Sequence, residues 1–220
     1  MEQQDKKVPL LDAFLVIITT FFLIAFTGAF LLLTVGTGPA LVIGELLILI
    51  IPLVYLIFRR INIKKYVQIS FNPKYILIGL ALGALIFLLD ILVSGALVEV
   101  FGTSEAVNQA NQQIIETSAT TLGMFYVATS LILAGICEEF AFRGFLQKAL
   151  TQRYSAAPAI IISAVIFGLF HFDPQGVYII SATISGLVLG LLFYRWNYTV
   201  AATAHAITNI IVLAALIFGF

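Results

Sequence analysis

Seven stretches of roughly 20 mainly apolar residues follow one another along this chain, and that length is what a helix needs to cross about 30 Å of hydrocarbon. No other feature limits the fold so tightly. Backbone N–H and C=O groups in lipid find no water, so each stretch has to satisfy them internally as a helix. The sequence therefore predicts an all-α fold, a polytopic transmembrane helical bundle of about seven spans. They run from about Leu10 to Val35, Pro39 to Phe58, Tyr75 to Val98, Leu122 to Leu150, Pro158 to Phe172, Val177 to Tyr194 and Thr199 to Phe218, and the fifth is short. Composition agrees: 61% of residues are hydrophobic and 10% charged, where soluble domains have about 45–50% and about 25%. Too few charges remain to cover a water-facing surface. Disorder needs low hydrophobicity and high charge, so it is excluded too. With 11 basic and 11 acidic residues, no extended basic surface for nucleic acid is available. The single cysteine, Cys137, excludes an internal disulfide framework and a multi-Cys metal site.

The breaks between spans carry turn chemistry. Gly36, Gly38 and Pro39 part the first two, Asn72 and Pro73 open the third, and Ser155 to Pro158 part the fourth and fifth. Asp173, Pro174 and Gly176 make a turn after the fifth. The longest connection, about Glu99 to Thr121, is polar but includes Val107, Ile114 and Ile115, which suits a short helix at the membrane surface. The chain reads as one membrane domain, 1–220. Lys6 and Lys7 precede the first span, which is too long for a signal-peptide core of about 7–15 residues and is read as a retained helix.

Basic residues set the expected orientation. Lys6, Lys7, Arg59, Arg60, Lys64, Lys65, Lys74, Lys148, Arg153 and Arg195 all fall in connections on one side, ten of the eleven. By the positive-inside rule that side is the cytoplasm of a multi-pass cell-membrane protein, with the N-terminus inside and the C-terminus outside. Arg143 alone lies within a span. Gly79-x-x-x-Gly83 and Gly186-x-x-x-Gly190 read as close helix-packing sites within the chain.

Ionisable side chains in lipid are costly and usually functional. Here they are Glu45, Asp90, Glu138, Glu139, Arg143, His171 and His205, with Asn209 as a neutral companion. Adjacent helical residues point about 100° apart, so Glu138 and Glu139 face different partners. Glu139 and Arg143 stand at i and i+4 with the acid first, the favourable order for a pair. Glu138 is left without a local cation, as a general base would be. Phe167 and His171 share a face one turn apart, as do His205 and Asn209. The last two can both donate hydrogen bonds, to an oxyanion or to a neighbouring helix. Glu45 and Asp90 map to the outer half of their spans and read as inward polar contacts, with a transporter's proton path as the rival.

Glu138-Glu139-x-x-x-Arg143, Phe167-x-x-x-His171 and His205-x-x-x-Asn209 resemble, in order, the three motifs of the CAAX-protease and bacteriocin-processing (CPBP, or Abi) intramembrane proteases. The resemblance covers the last four spans, 122–218, as a catalytic core, and leaves 10–98 as three accessory helices. It implies hydrolysis of a peptide bond inside the membrane, in a prenylated CAAX-like protein, a leader peptide or another membrane-associated peptide. Glu138 with His171 would activate water and His205 with Asn209 would form the oxyanion site. Glu139, Arg143 and Phe167 would support them, and the cavity would open to the cytoplasm. Glu138, His171 and His205 also suit a zinc ion with one open position. No cofactor is required, however, and metal-independent activation by Glu and His is the preferred reading. The expected partners are the lipid bilayer and a peptide or lipidated protein. The rivals are a proton-coupled transporter and a non-catalytic bacteriocin-immunity or scaffold protein.

Overall fold

The computed structural model describes residues 7–219; Lys6, counted above among the basic residues before the first span, lies outside them. The described residues form helices joined by short links: α1 (Leu10–Val35), α2 (Thr37–Phe58), the one-turn α3 (Ile63–Val67), α4 (Pro73–Phe101), α5 (Glu105–Ser118), α6 (Thr121–Thr151), α7 (Ala156–Phe170), α8 (Val177–Arg195) and α9 (Tyr198–Phe218). Six of them, α1, α2, α4, α6, α8 and α9, are long and apolar enough to cross a membrane. Large apolar side chains such as Phe26, Leu33, Leu77, Leu92 and Phe125 project outward along these helices. In water they would form an oversized apolar patch; in a bilayer they face acyl chains. The protein is a multi-pass membrane protein.

The seventh apolar stretch, α7, behaves differently. Its 15 residues rise about 22 Å, short of a hydrocarbon core of about 30 Å. It runs from Ala156 to Phe170, where the sequence suggested Pro158 to Phe172, so His171 is the residue that ends the helix. A helix that stops early delivers its C-terminal side chain into the interior of the bundle.

Small residues decide where helices touch most closely. A Cβ at Gly135 on α6 would lie 2.5 Å from the Ala206 backbone nitrogen, so only glycine lets α9 approach there. Gly83 meets the Ala204 carbonyl and Gly79 meets Thr203, which seats α4 on α9. Thr208 reinforces that contact by donating to the Gly83 carbonyl. Gly186 and Gly190 bring α8 against α6 and α7. Both expected glycine pairs thus pack helices of the same chain.

The polar connection forms α5, capped by Ser104, whose hydroxyl accepts from the Val107 N–H. Its half-buried residues, Val107, Asn111, Ile114, Thr117 and Ser118, fall on or beside one face, and none of its residues is fully buried. The same Ser104 hydroxyl donates to the Asp173 carboxylate at 2.6 Å. Asp173 also accepts from the backbone N–H groups of Gln175 and Tyr178, which places its charge at the positive end of α8. One carboxylate therefore ties the start of α5, the loop after His171 and the first turn of α8.

Burial alone would raise the Asp173 carboxyl, but the hydrogen bonds from Ser104, Tyr178, Gln175 and Val177 outweigh it and hold the group below the usual carboxylate range. A carboxyl lowered by folding contributes stability above its unfolded pKa, and loses it as pH falls through the folded value. Asp173→Asn is expected to lower the apparent unfolding temperature at pH 7 by about 2–4 °C, the scale of one such interaction. The gap to wild type should close on acidification, and thermal scans of both proteins from pH 7 to pH 3 measure it.

Candidate active site

In the last third of α6 the helix widens into π-helical turns over Phe140–Gln147, and all eight of those residues are buried. Such widening is uncommon and clusters at functional sites. Here neighbouring helices use the altered backbone. Ser163 on α7 donates to the Phe142 carbonyl at 2.8 Å. Arg143 and Gln147 donate to the Gly186 and Gly190 carbonyls of α8 at 3.0 and 2.9 Å. The glycines expose those carbonyls because no side chain covers them. Between the glutamates and the Lys148–Arg153 turn, Phe142, Phe145, Leu146 and Leu150 are fully buried.

The i, i+4 pair forms as expected. Arg143 Nη1 lies 2.9 Å from Glu139 Oε1, and both side chains are wholly buried. The guanidinium also sits 4.3 Å from the centre of the Phe167 ring, close enough for a cation–π contact. Glu139 does more than the sequence assigned to it. The same Oε1 lies 3.0 Å from His205 Nδ1, so one carboxylate joins Arg143 on α6 to His205 on α9. Glu138, one residue earlier, points elsewhere: its Oε2 has no hydrogen-bond partner, and the nearest imidazole nitrogen, His205 Nε2, is 3.8 Å away.

His171 owes its orientation to the helix end. Its backbone N–H turns to the Gly168 carbonyl, which frees the Phe167 carbonyl to take the His171 Nδ1 at 2.9 Å. A carbonyl can only accept, so Nδ1 carries the hydrogen, and in the neutral imidazole Nε2 then keeps its lone pair. Phe167 packs 4.6 Å from the imidazole on one side and Tyr178 meets it edge-on at 5.0 Å on another. Asn209 donates one Nδ2 hydrogen to the Leu131 carbonyl at 3.2 Å, which leaves its second hydrogen available.

Glu138, Phe167, His171, His205 and Asn209 line one cavity of about 220 Å³. Glu139 and Arg143 stand behind its wall and position His205 and Phe167. The same cavity takes in Glu45 from α2, Ile86 and Asp90 from α4, and Tyr178, Ser181 and Ser185 from α8. Asp90 accepts from the Ser185 hydroxyl. The sequence had marked Glu45 and Asp90 as ionisable and buried, but nothing in their spacing tied them to the three motifs. Tyr178 and Ser185 carried no signal at all, since their place depends on how far α7 falls short of a full span. Among the described residues, no group of three or more His, Cys, Asp or Glu could hold a metal ion.

Residues 119–211 match the model of the type II CAAX prenyl endopeptidase Rce1-like family. The matched family is the CPBP family. The CPBP segment starts two residues before α6 and ends within α9, so it contains all three motifs of the cavity. The match supports a protease, a CAAX-type endopeptidase, and six spans set it in a membrane. No curated protein and no solved structure gives a significant match. Glu45, Ile86 and Asp90 come to the cavity from outside the CPBP segment.

Removing Arg143 would leave Glu139 charged and buried with His205 as its remaining partner. Losing one member of a buried pair costs about 3–5 kcal/mol. Arg143→Ala is therefore expected to lower both the unfolding temperature and the yield of folded protein. Arg143→Lys should recover little, because an ammonium cannot reach Glu139 and the Gly186 carbonyl in a fixed fork while stacking on Phe167. Size-exclusion profiles and thermal scans of the two variants test this.

Proposed function

We propose that this protein is an intramembrane endopeptidase in which Glu138 and His171 activate the attacking water, with His205 and Asn209 holding the oxyanion. The observation that carries the reading is the separation of the two glutamates. Glu139 holds Arg143 and His205 through its Oε1 behind the cavity wall, while Glu138 lines the cavity together with His171, with no ion-pair partner nearer than His205 Nε2 at 3.8 Å.

In the step this arrangement supports, a water positioned between Glu138 and His171 Nε2 gives a proton to the Glu138 carboxylate. Its oxygen forms a bond to the carbonyl carbon of the scissile peptide. The carbonyl oxygen becomes an oxyanion and accepts the free Asn209 N–H. With Nδ1 engaged by Glu139, His205 can offer its Nε2 to the same oxyanion when that nitrogen carries a proton. The tetrahedral species then breaks its C–N bond, and the proton held by Glu138 passes to the departing nitrogen. The products are a carboxylate and an amine. Glu139 and Arg143 act through other groups, fixing His205 and the Phe167 ring on which His171 rests. No step is routed through a metal.

The description of the matched family, a CAAX prenyl endopeptidase, supports prenylated CAAX-like proteins as substrates, and the motif resemblance adds leader peptides and other membrane-associated peptides. We take the basic end of the bundle as cytoplasmic, following the placement of Arg59 to Lys74, Lys148, Arg153 and Arg195. Glu45 and Asp90 on the cavity wall also give proton-coupled transport a footing. A pH-gradient flux assay in proteoliposomes separates it from proteolysis.

Glu138→Gln and His171→Ala should each lower kcat for a cleaved peptide by about 10²–10⁴-fold, the range of general acid–base catalysis. Asn209→Ala should cost about 10²–10³-fold, as for one oxyanion donor. All three should keep the wild-type unfolding temperature within a few degrees. Activity retained in Glu138→Gln would refute the role given to that residue. Cleavage should also survive dialysis against a strong chelator. Loss on chelation with recovery on added zinc would instead assign Glu138, His171 and His205 to a metal.

A further inference from the structure

Glu45 has no part in the catalytic steps above, yet it forms the same cavity wall as Glu138, His171 and His205. It comes from α2, well before residue 119 where the family match begins. Its Oε2 is buried and has no hydrogen-bond partner. Asp90, the other carboxylate brought in by the first helices, is engaged by the Ser185 hydroxyl. Glu45 is therefore an acceptor left without a donor, on the same cavity wall as Glu138.

The cavity does not supply the missing cation. Among the described residues lining it there is no lysine or arginine. The nearby Arg143 is committed to Glu139, the Gly186 carbonyl and the Phe167 ring. His171 spends one nitrogen on the Phe167 carbonyl, and His205 stands between Glu138 and Glu139. A carboxylate in such a space is best stabilised by a ligand that brings its own positive charge and N–H donors.

We infer that Glu45 is a specificity-determining residue that receives a lysine or arginine side chain of the substrate, beside the peptide bond to be cut. This rests on the endopeptidase reading and names the substrate class for that same site. A basic side chain entering the cavity exchanges water for the Glu45 carboxylate. An uncharged one leaves Glu45 unanswered. An acidic one adds a like charge near Glu45 and Glu138, which disfavours binding.

The test uses the purified full-length protein and N-acetylated, internally quenched peptides in two series. One series carries a prenylated cysteine and the other an unmodified leader-like sequence. Mass spectrometry locates the bond cut, and the residues flanking it are set to lysine, norleucine or glutamate. The expected order of kcat/KM is lysine, norleucine, glutamate, with lysine over norleucine by about tenfold, the scale of one charge-assisted hydrogen bond. Glu45→Gln should bring the lysine-to-norleucine ratio close to one, and Glu45→Asp should keep an intermediate preference. A wild-type ratio near one overturns the inference without any variant being needed, and so does a Glu45→Gln protein that keeps the wild-type ratio. Absence of cleavage in both series, or cleavage that Glu138→Gln leaves intact, removes the endopeptidase reading and this inference with it.

Discussion

A guanidinium in the middle of a membrane protein has to be neutralised by something that cannot move away, and Glu139 does this for Arg143. Most of the site follows from that one contact. Because Glu139 sits one helical turn before Arg143, the pair fixes which way that stretch of α6 faces. The same carboxylate oxygen holds His205 Nδ1, so α9 is locked to α6 in register. The guanidinium lies over Phe167 and reaches the Gly186 carbonyl, which brings α7 and α8 to the same point. Four helices therefore meet around one buried charge pair, and Glu138 is the acidic group left facing open space.

The arrangement divides two jobs between adjacent glutamates. A carboxylate bound to arginine and histidine is a poor base, because its charge is already balanced. A carboxylate facing a cavity keeps a lone pair for a water proton. Consecutive positions on a helix diverge by about 100°, so this division follows from backbone geometry alone. The truncated α7 completes it. A full span would have carried His171 past the site, whereas a helix ending at Phe170 frees the Phe167 carbonyl to fix the imidazole tautomer.

Much of this was legible in the sequence, and the limits were physical. Apolar runs give spans reliably because lipid leaves the backbone no alternative to helix. The Glu139–Arg143 pair was legible because it is local, set by i, i+4 spacing. The bond from Glu139 to His205 was not, since it depends on Gly135 admitting α9 at backbone distance, a tertiary fact with no periodic signature. The π-helical turns at Phe140–Gln147 were equally hidden, because they answer to Ser163, Gly186 and Gly190 on other helices. Glu45 and Asp90 were visible as buried acids, but their common cavity emerged only when α2 and α4 were packed around α6 and α9. The first helices, which carry none of the three motifs, thus supply part of the cavity wall.

The central claim is that Glu138 alone of the glutamate pair is free to take a proton from water. Substrate trapping tests it most directly. Tagged Glu138→Gln and Glu139→Gln proteins are expressed in the source membranes, purified without harsh washing, and their bound peptides identified by mass spectrometry. The account predicts that Glu138→Gln retains intact peptides spanning the bond that wild type cuts. Glu139→Gln, with His205 and Arg143 released, should hold little. Recovery of already cleaved peptides from Glu138→Gln, or equal trapping by both variants, would contradict it.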